Sequence, residues 1–125
     1  MLKLARPGIR IVVTEPEGAA LLSGREWAPH KIQGWTPNFI GSVLKREVFD
    51  EIVTVTDVEA RDMARDLAAK EGIFCGISSG GTFAAARKAA ERAPDGSVIL
   101  AMLPDTGERY LSTILFEGIN EGTDE

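Results

Sequence analysis

At 125 residues, 44% hydrophobic and 26% charged, the chain suits one soluble globular domain with room for a real core. Nineteen acidic side chains against 14 basic ones leave a net charge of -5 without a basic cluster, which argues against nucleic acid as the main partner. A single cysteine, Cys75, excludes an internal disulfide and a thiolate zinc site built from this chain alone, so no metal site is expected.

No apolar run approaches the roughly 20 residues needed to cross a bilayer, so no membrane is expected. The opening MLKLARPGIR lacks the apolar stretch of a secretory signal, and a cytoplasmic location is the expectation. Ile9 to Pro16 is a β-branched run stopped by a proline, as a buried strand would be. EGAALLSG then predicts one or two helical turns closed by Gly24. From Arg25 to Gly41 the periodicity disappears into a long loop that holds both tryptophans, Trp27 and Trp35. A loop of that length inside a small domain points to function or mobility. SVLKREVF predicts a short helix, and Asp50 to Thr56 a second strand.

The next helix carries the clearest local signals. Thr56-Asp57-Val58-Glu59 fits a capping box. Ala60, Met63, Ala64, Leu67 and Ala68 make one apolar stripe, with Lys70 in the last turn and Gly72 as a left-handed stop. IFCGI leaves space for a very short strand, and the alanine-rich TFAAARKAAERA predicts another helix. A turn at Pro94-Asp95-Gly96 leads to a third strand over Ser97 to Leu103. PDTGER reads as a loop, YLSTILFEG as a final helix and INEGTDE as a frayed tail. Three apolar strands separated by helices predict an α/β fold with a mainly parallel sheet and right-handed crossovers. Ligands in such sheets sit beyond the carboxyl ends of the strands, where PEGAA, the serine-glycine loop and PDTGERY would converge.

Gly76-Ile77-Ser78-Ser79-Gly80 matches the G-x-S-x-G of a nucleophile elbow. The hydrolase reading lacks support, because the only histidine, His30, precedes the serine, whereas that fold places it last. Two other readings stand beside it. Ser78 and Ser79 would simply cap the following helix, or the loop would bind a ligand through free N–H groups and a hydroxyl able to donate to a neutral ring nitrogen.

Three segments in order, HKIQGWTPNFI (30–40), EGIFCGISSGG (71–81) and LPDTGERYLST (103–113), resemble the cysteine synthase (O-acetylserine sulfhydrylase) family. The resemblance runs from about Leu2 to Phe116. It implies a three-layer αβα architecture, part of the large domain of a fold-type II pyridoxal-phosphate enzyme. It makes Ser78 the hydrogen-bond partner of the cofactor's pyridine nitrogen, puts Pro104 and Asp105 near that ring, and places Gln33 and Gly34 beside the substrate. Where the family often continues QGIGAGF, this chain has Trp35 and Thr36, which puts substrate preference in question. His30 and Lys31 are expected to be an exposed loop pair, and the two tryptophans loop packing.

The family's Schiff-base lysine, its T-S-G-N-T loop and its G-T-G-G-T phosphate loop have no counterpart here. The resemblance therefore implies that residues 1–125 are the C-terminal part of such an enzyme, with no catalytic residue of their own. The whole enzyme would make cysteine from O-acetylserine and sulfide by β-replacement. Cystathionine β-synthase-like chemistry is the near alternative. A non-catalytic remnant that binds the C-terminal tail of serine acetyltransferase is the distant one. An unpaired sheet edge predicts self-association, or a homodimer.

Overall fold

The computed structural model describes residues 1–119; of the tail expected to fray, residues 120–125 lie outside them. A single turn, α1 (Leu2–Ala5), precedes β1 (Val12–Pro16). β2 (Glu51–Val55), α2 (Asp57–Glu71) and α3 (Ile77–Ala90) follow. The two strands pair in parallel, Val12 opposite Glu51 and Pro16 opposite Val55. Asp50 starts the pairing: its carboxylate accepts the Ile11 N–H at 2.8 Å. The Lys3 ammonium and that N–H hold the Asp50 carboxyl below its usual range.

β1 ends in a loop tied down by a buried acid. Glu15 is almost completely enclosed. Its carboxylate accepts from Leu22 N at 2.9 Å, Ser23 N at 3.0 Å and Ser23 Oγ at 2.5 Å, which satisfies a charge that would otherwise be costly to bury. Only Glu17–Ala19 forms a helical turn here, of 3-10 type. The helix expected over SVLKREVF is likewise only a 3-10 turn, Arg46–Val48. Val43 stands in solvent, so that segment has no buried face to stabilise a longer helix.

α2 forms as its sequence dictates. Glu59 N donates to Thr56 Oγ1 at 3.1 Å while Thr56 N donates to Glu59 Oε2 at 2.8 Å, completing the capping box. Burial alone would raise the Glu59 carboxyl. The Lys88 ammonium and the Thr56 N–H outweigh that and hold it below its usual range. Gly72, at φ 69°, closes the helix, with its N–H donating to the Ala68 carbonyl. Ala60, Ala64 and Leu67 are the buried members of the stripe.

α3 packs on α2 and on both strands. The close approach depends on small residues: a Cβ at Gly80 would overlap the Ala60 carbonyl and lie 2.8 Å from Ala64 Cβ. Ile32, Val53, Val55, Ala60, Ile77, Ala84 and Ala85 form the larger core cluster. Ala64, Leu67, Cys75 and Leu115 form the smaller one.

Two expected elements are absent among the described residues. Ser97 to Leu103 pairs with no strand, and Val98, Leu100 and Met102 are 98%, 94% and 71% exposed. A strand exists by bonding to a neighbour, and no described segment runs beside this one. IFCGI contributes a single antiparallel bridge, Cys75 to Thr106. The final helix is also replaced, by a 3-10 turn at Gly107–Tyr110 and further turns. The Arg65 guanidinium instead donates to three carbonyls of this segment, those of Ile114 at 3.2 Å, Leu115 at 2.5 Å and Glu117 at 2.8 Å. Thr113 Oγ1 meanwhile donates to Tyr110 O at 2.7 Å, a local bond that competes with helix.

Gly80→Ala is expected to lower stability by about 1–3 kcal/mol through overpacking. Thr56→Ala should cost about 1 kcal/mol through the lost cap. Denaturant melts check both, and a Gly80→Ala chain as stable as wild type would contradict this helix packing.

Candidate functional site

Glycine and serine are weak helix formers, yet α3 begins at Ile77, five residues before the alanine-rich run. Gly76 is its N-cap, in extended conformation and without a side-chain cap. Ser78 and Ser79 are therefore not caps but residues of the first turn. Their N–H groups are satisfied from far along the chain, by one carboxylate. Ser78 N donates to Asp105 Oδ2 at 3.0 Å and Ser79 N to Asp105 Oδ1 at 2.9 Å. Ser79 Oγ donates to the same carboxylate and accepts from Asp105 N at 3.3 Å. A bond from Gly76 N to Asp105 O at 3.4 Å and one from Gly107 N to Phe74 O at 3.2 Å fasten the two loops side by side.

That contact dictates the neighbouring glycines. A Cβ at Gly76 would overlap the Asp105 carboxylate and the Tyr110 ring, and one at Gly107 would lie 2.7 Å from the Phe74 ring. Burial, followed by the hydrogen bond from its hydroxyl to Asp105, pushes the Tyr110 phenol up. Burial and then the Asp105 charge push the Cys75 thiol up as well.

Ser78 Oγ lies outside the Asp105 arrangement. It donates to the Gln33 carbonyl over 3.4 Å, the long end of a hydrogen bond. Gln33 sits in a turn in which Trp35 N donates to Ile32 O at 3.2 Å and Gly34 adopts φ 84°. Fully buried Ile32 anchors the turn. Next to it, the Trp35 ring lies against the first turns of α3, so close that a Cβ at Gly81 would sit 2.7 Å from it. Thr36 holds φ 25°, the one positive value outside glycine among the described residues, and its carbonyl accepts from Trp27 Nε1 at 3.0 Å. The tryptophans thus pack and brace this loop.

The expected site residues are partly assembled. Ser78, Asp105 and Gln33 meet, and Gly34 shapes the turn beside them. Pro104 is exposed. Asp105 is not free to face a ligand, because both of its oxygens are taken by α3. His30 approaches the Thr36 carbonyl at 3.4 Å and gives Ser78 no base, which leaves the hydrolase reading without its geometry. Lys31 is exposed and His30 half-buried; with Gln33, Ile77, Ser112 and Thr113 they border a cavity of about 340 Å³. Sequence reasoning missed Gly76, Ser79 and Tyr110. Their signal is their closeness to the Asp105 carboxylate, 26 residues beyond Ser79, which no local pattern marks.

Gly76→Ala should displace the Asp105 carboxylate and lower stability by about 1–3 kcal/mol, read in a denaturant melt. Iodoacetamide should modify Cys75 slowly at neutral pH in the folded chain and quickly in urea, because a raised pKa keeps the thiol protonated. Equal rates would contradict that burial.

A family model described as pyridoxal-phosphate dependent enzyme matches residues 1–105. O-ureido-L-serine synthase of Streptomyces lavendulae is 59% identical over 125 residues, 100% of this chain and 39% of that protein. Cysteine synthase of Staphylococcus aureus is 44% identical over 116 residues, 93% of this chain and 37% of that protein. A crystal structure of O-ureido-L-serine synthase superposes with a TM-score of 0.93 at 60% identity, covering 99% of this chain and 39% of that one. This chain thus spans less than two fifths of the relatives' length. On these matches, the chain belongs to the pyridoxal-phosphate dependent enzymes of fold type II.

Proposed function

We propose that this chain supplies the pyridine-ring side of a β-replacing enzyme acting on an O-acylated L-serine such as O-acetylserine. The observation that carries the reading is Ser78: a nearly buried hydroxyl held only by a stretched 3.4 Å bond to Gln33 O. Its proton is available to a better acceptor. The nearest carboxylate, Asp105, is spent on backbone N–H groups and leaves no free acid to keep a ring nitrogen protonated. The residues present therefore fit the ring-nitrogen edge of pyridoxal phosphate.

When bound, that cofactor withdraws electrons from the amino-acid carbons of the substrate. This chain's residues hold and orient. Ser78 Oγ presents one neutral donor. Gly34, at φ 84°, lets the Gln33 turn approach a ligand with backbone. Trp35 covers the first turns of α3 against water. Pro104 directly precedes Asp105 in the chain. The Schiff-base lysine and the phosphate loop come from a complementary region, continuous or separate, and exposed Val98, Leu100 and Met102 are where its sheet would add.

For the nucleophile, sulfide, giving cysteine, is the first reading. The hydroxyl oxygen of hydroxyurea, giving O-ureido-L-serine, is the second, favoured by the 59% identity to O-ureido-L-serine synthase and by Trp35 and Thr36 in the turn beside Gln33.

The test is reconstitution with the complementary region of the Streptomyces lavendulae synthase, followed by product analysis with sulfide and with hydroxyurea. Product should form from O-acetylserine only in the mixture. Ser78→Ala should lower its rate about tenfold, the worth of one such hydrogen bond. A reconstituted enzyme indifferent to Ser78→Ala would contradict the reading. So would a borohydride-fixed cofactor adduct on one specific lysine of the isolated chain.

A further inference from the structure

The start of α3 has the make-up of an anion cradle. Gly76-Ile77-Ser78-Ser79-Gly80-Gly81 opens a helix of 14 residues, and backbone N–H groups at such an end ordinarily attract phosphate or carboxylate. Here the place is filled from within. Asp105 lies across it, one oxygen on Ser78 N at 3.0 Å and the other on Ser79 N at 2.9 Å, with Ser79 Oγ on the same group. Gly80 N already donates to Gly76 O at 3.1 Å, so of the first turn only Ile77 N lies outside these bonds. The carboxylate lies close against Gly76, where a Cβ would overlap both it and the Tyr110 ring.

We propose that Asp105 is a specificity residue: it makes the start of α3 refuse anions and so fixes which end of a ligand this loop can meet. A phosphate brought to these N–H groups would find their bonds taken and a like charge in contact. The Ser78 hydroxyl stands apart from that arrangement, on its 3.4 Å bond to Gln33 O. It remains open to an uncharged acceptor. The orientation that follows, ring nitrogen at α3 and phosphate elsewhere, rests on the cofactor reading above. The refusal of anions does not.

Amide NMR of the intact chain tests the two halves of the cofactor separately, with inorganic phosphate and with pyridoxine, which carries the ring without the phosphate. In wild type, phosphate at constant ionic strength should move neither the Ser78 nor the Ser79 amide saturably. In Asp105→Asn it should move both saturably. A saturable phosphate response at these amides in wild type would overturn the proposal. So would a folded Asp105→Asn chain that gains none. If Asp105→Asn loses its dispersed spectrum, the wild-type titration decides alone. Pyridoxine should shift the Ser78 amide in wild type. Its failure to do so overturns the orientation together with the cofactor reading, while the phosphate titration still judges the refusal of anions.

Discussion

One carboxylate, on Asp105, holds together what the sequence places 26 residues apart. By accepting the Ser78 and Ser79 N–H groups in the first turn of α3 it supplies a cap of the kind worth about 1 kcal/mol or more, and it lets a helix begin in Gly76-Ile77-Ser78-Ser79-Gly80-Gly81, a stretch with little helix propensity of its own. The glycines at 76 and 107 follow from the same contact, because each lies where a side chain would collide with the loop it faces. The Cys75–Thr106 bridge is the backbone expression of that approach.

From there the arrangement spreads outward. Starting α3 at Ile77 sets Gly80 against Ala60 and Ala64 of α2, and Gly81 against the Trp35 ring. Ile77, Ala84 and Ala85 then reach the β2 side chains Val53 and Val55. The Gln33 turn touches α3 at two places, the Ser78 hydroxyl and the Trp35 ring. The site is thus the outer rim of the core packing, and its geometry is as firm as the α2–α3 contact beneath it.

What could be read beforehand was local. The capping box at Thr56 and Glu59, the apolar stripe of α2 and the stop at Gly72 depend on residues within a few positions of one another, and each formed as expected. The parallel pairing of β1 with β2 also followed from two short β-branched runs separated by a long connection. Two short helices shrank to 3-10 turns at Glu17–Ala19 and Arg46–Val48, and the larger failures are long-range. Ser97 to Leu103 has the composition of a strand but no neighbour to bond. The last segment gives its carbonyls to Arg65, some 50 residues earlier. The early start of α3 depends on Asp105. At the site, motif resemblance brought Ser78, Asp105 and Gln33 to attention, but it could not show that Asp105 serves the helix while Ser78 keeps a loosely held proton.

The central claim is the bond between Asp105 and the first turn of α3, and a double-mutant cycle of Asp105→Asn with Ser79→Ala measures it most directly. Denaturant unfolding of the four chains should give a coupling energy of about 1–2 kcal/mol, as for side chains that share a charge-assisted hydrogen bond. Additive effects, with coupling near zero, would mean that the carboxylate does not bond the Ser79 hydroxyl that accompanies its two backbone bonds, and would contradict the arrangement described at the helix start.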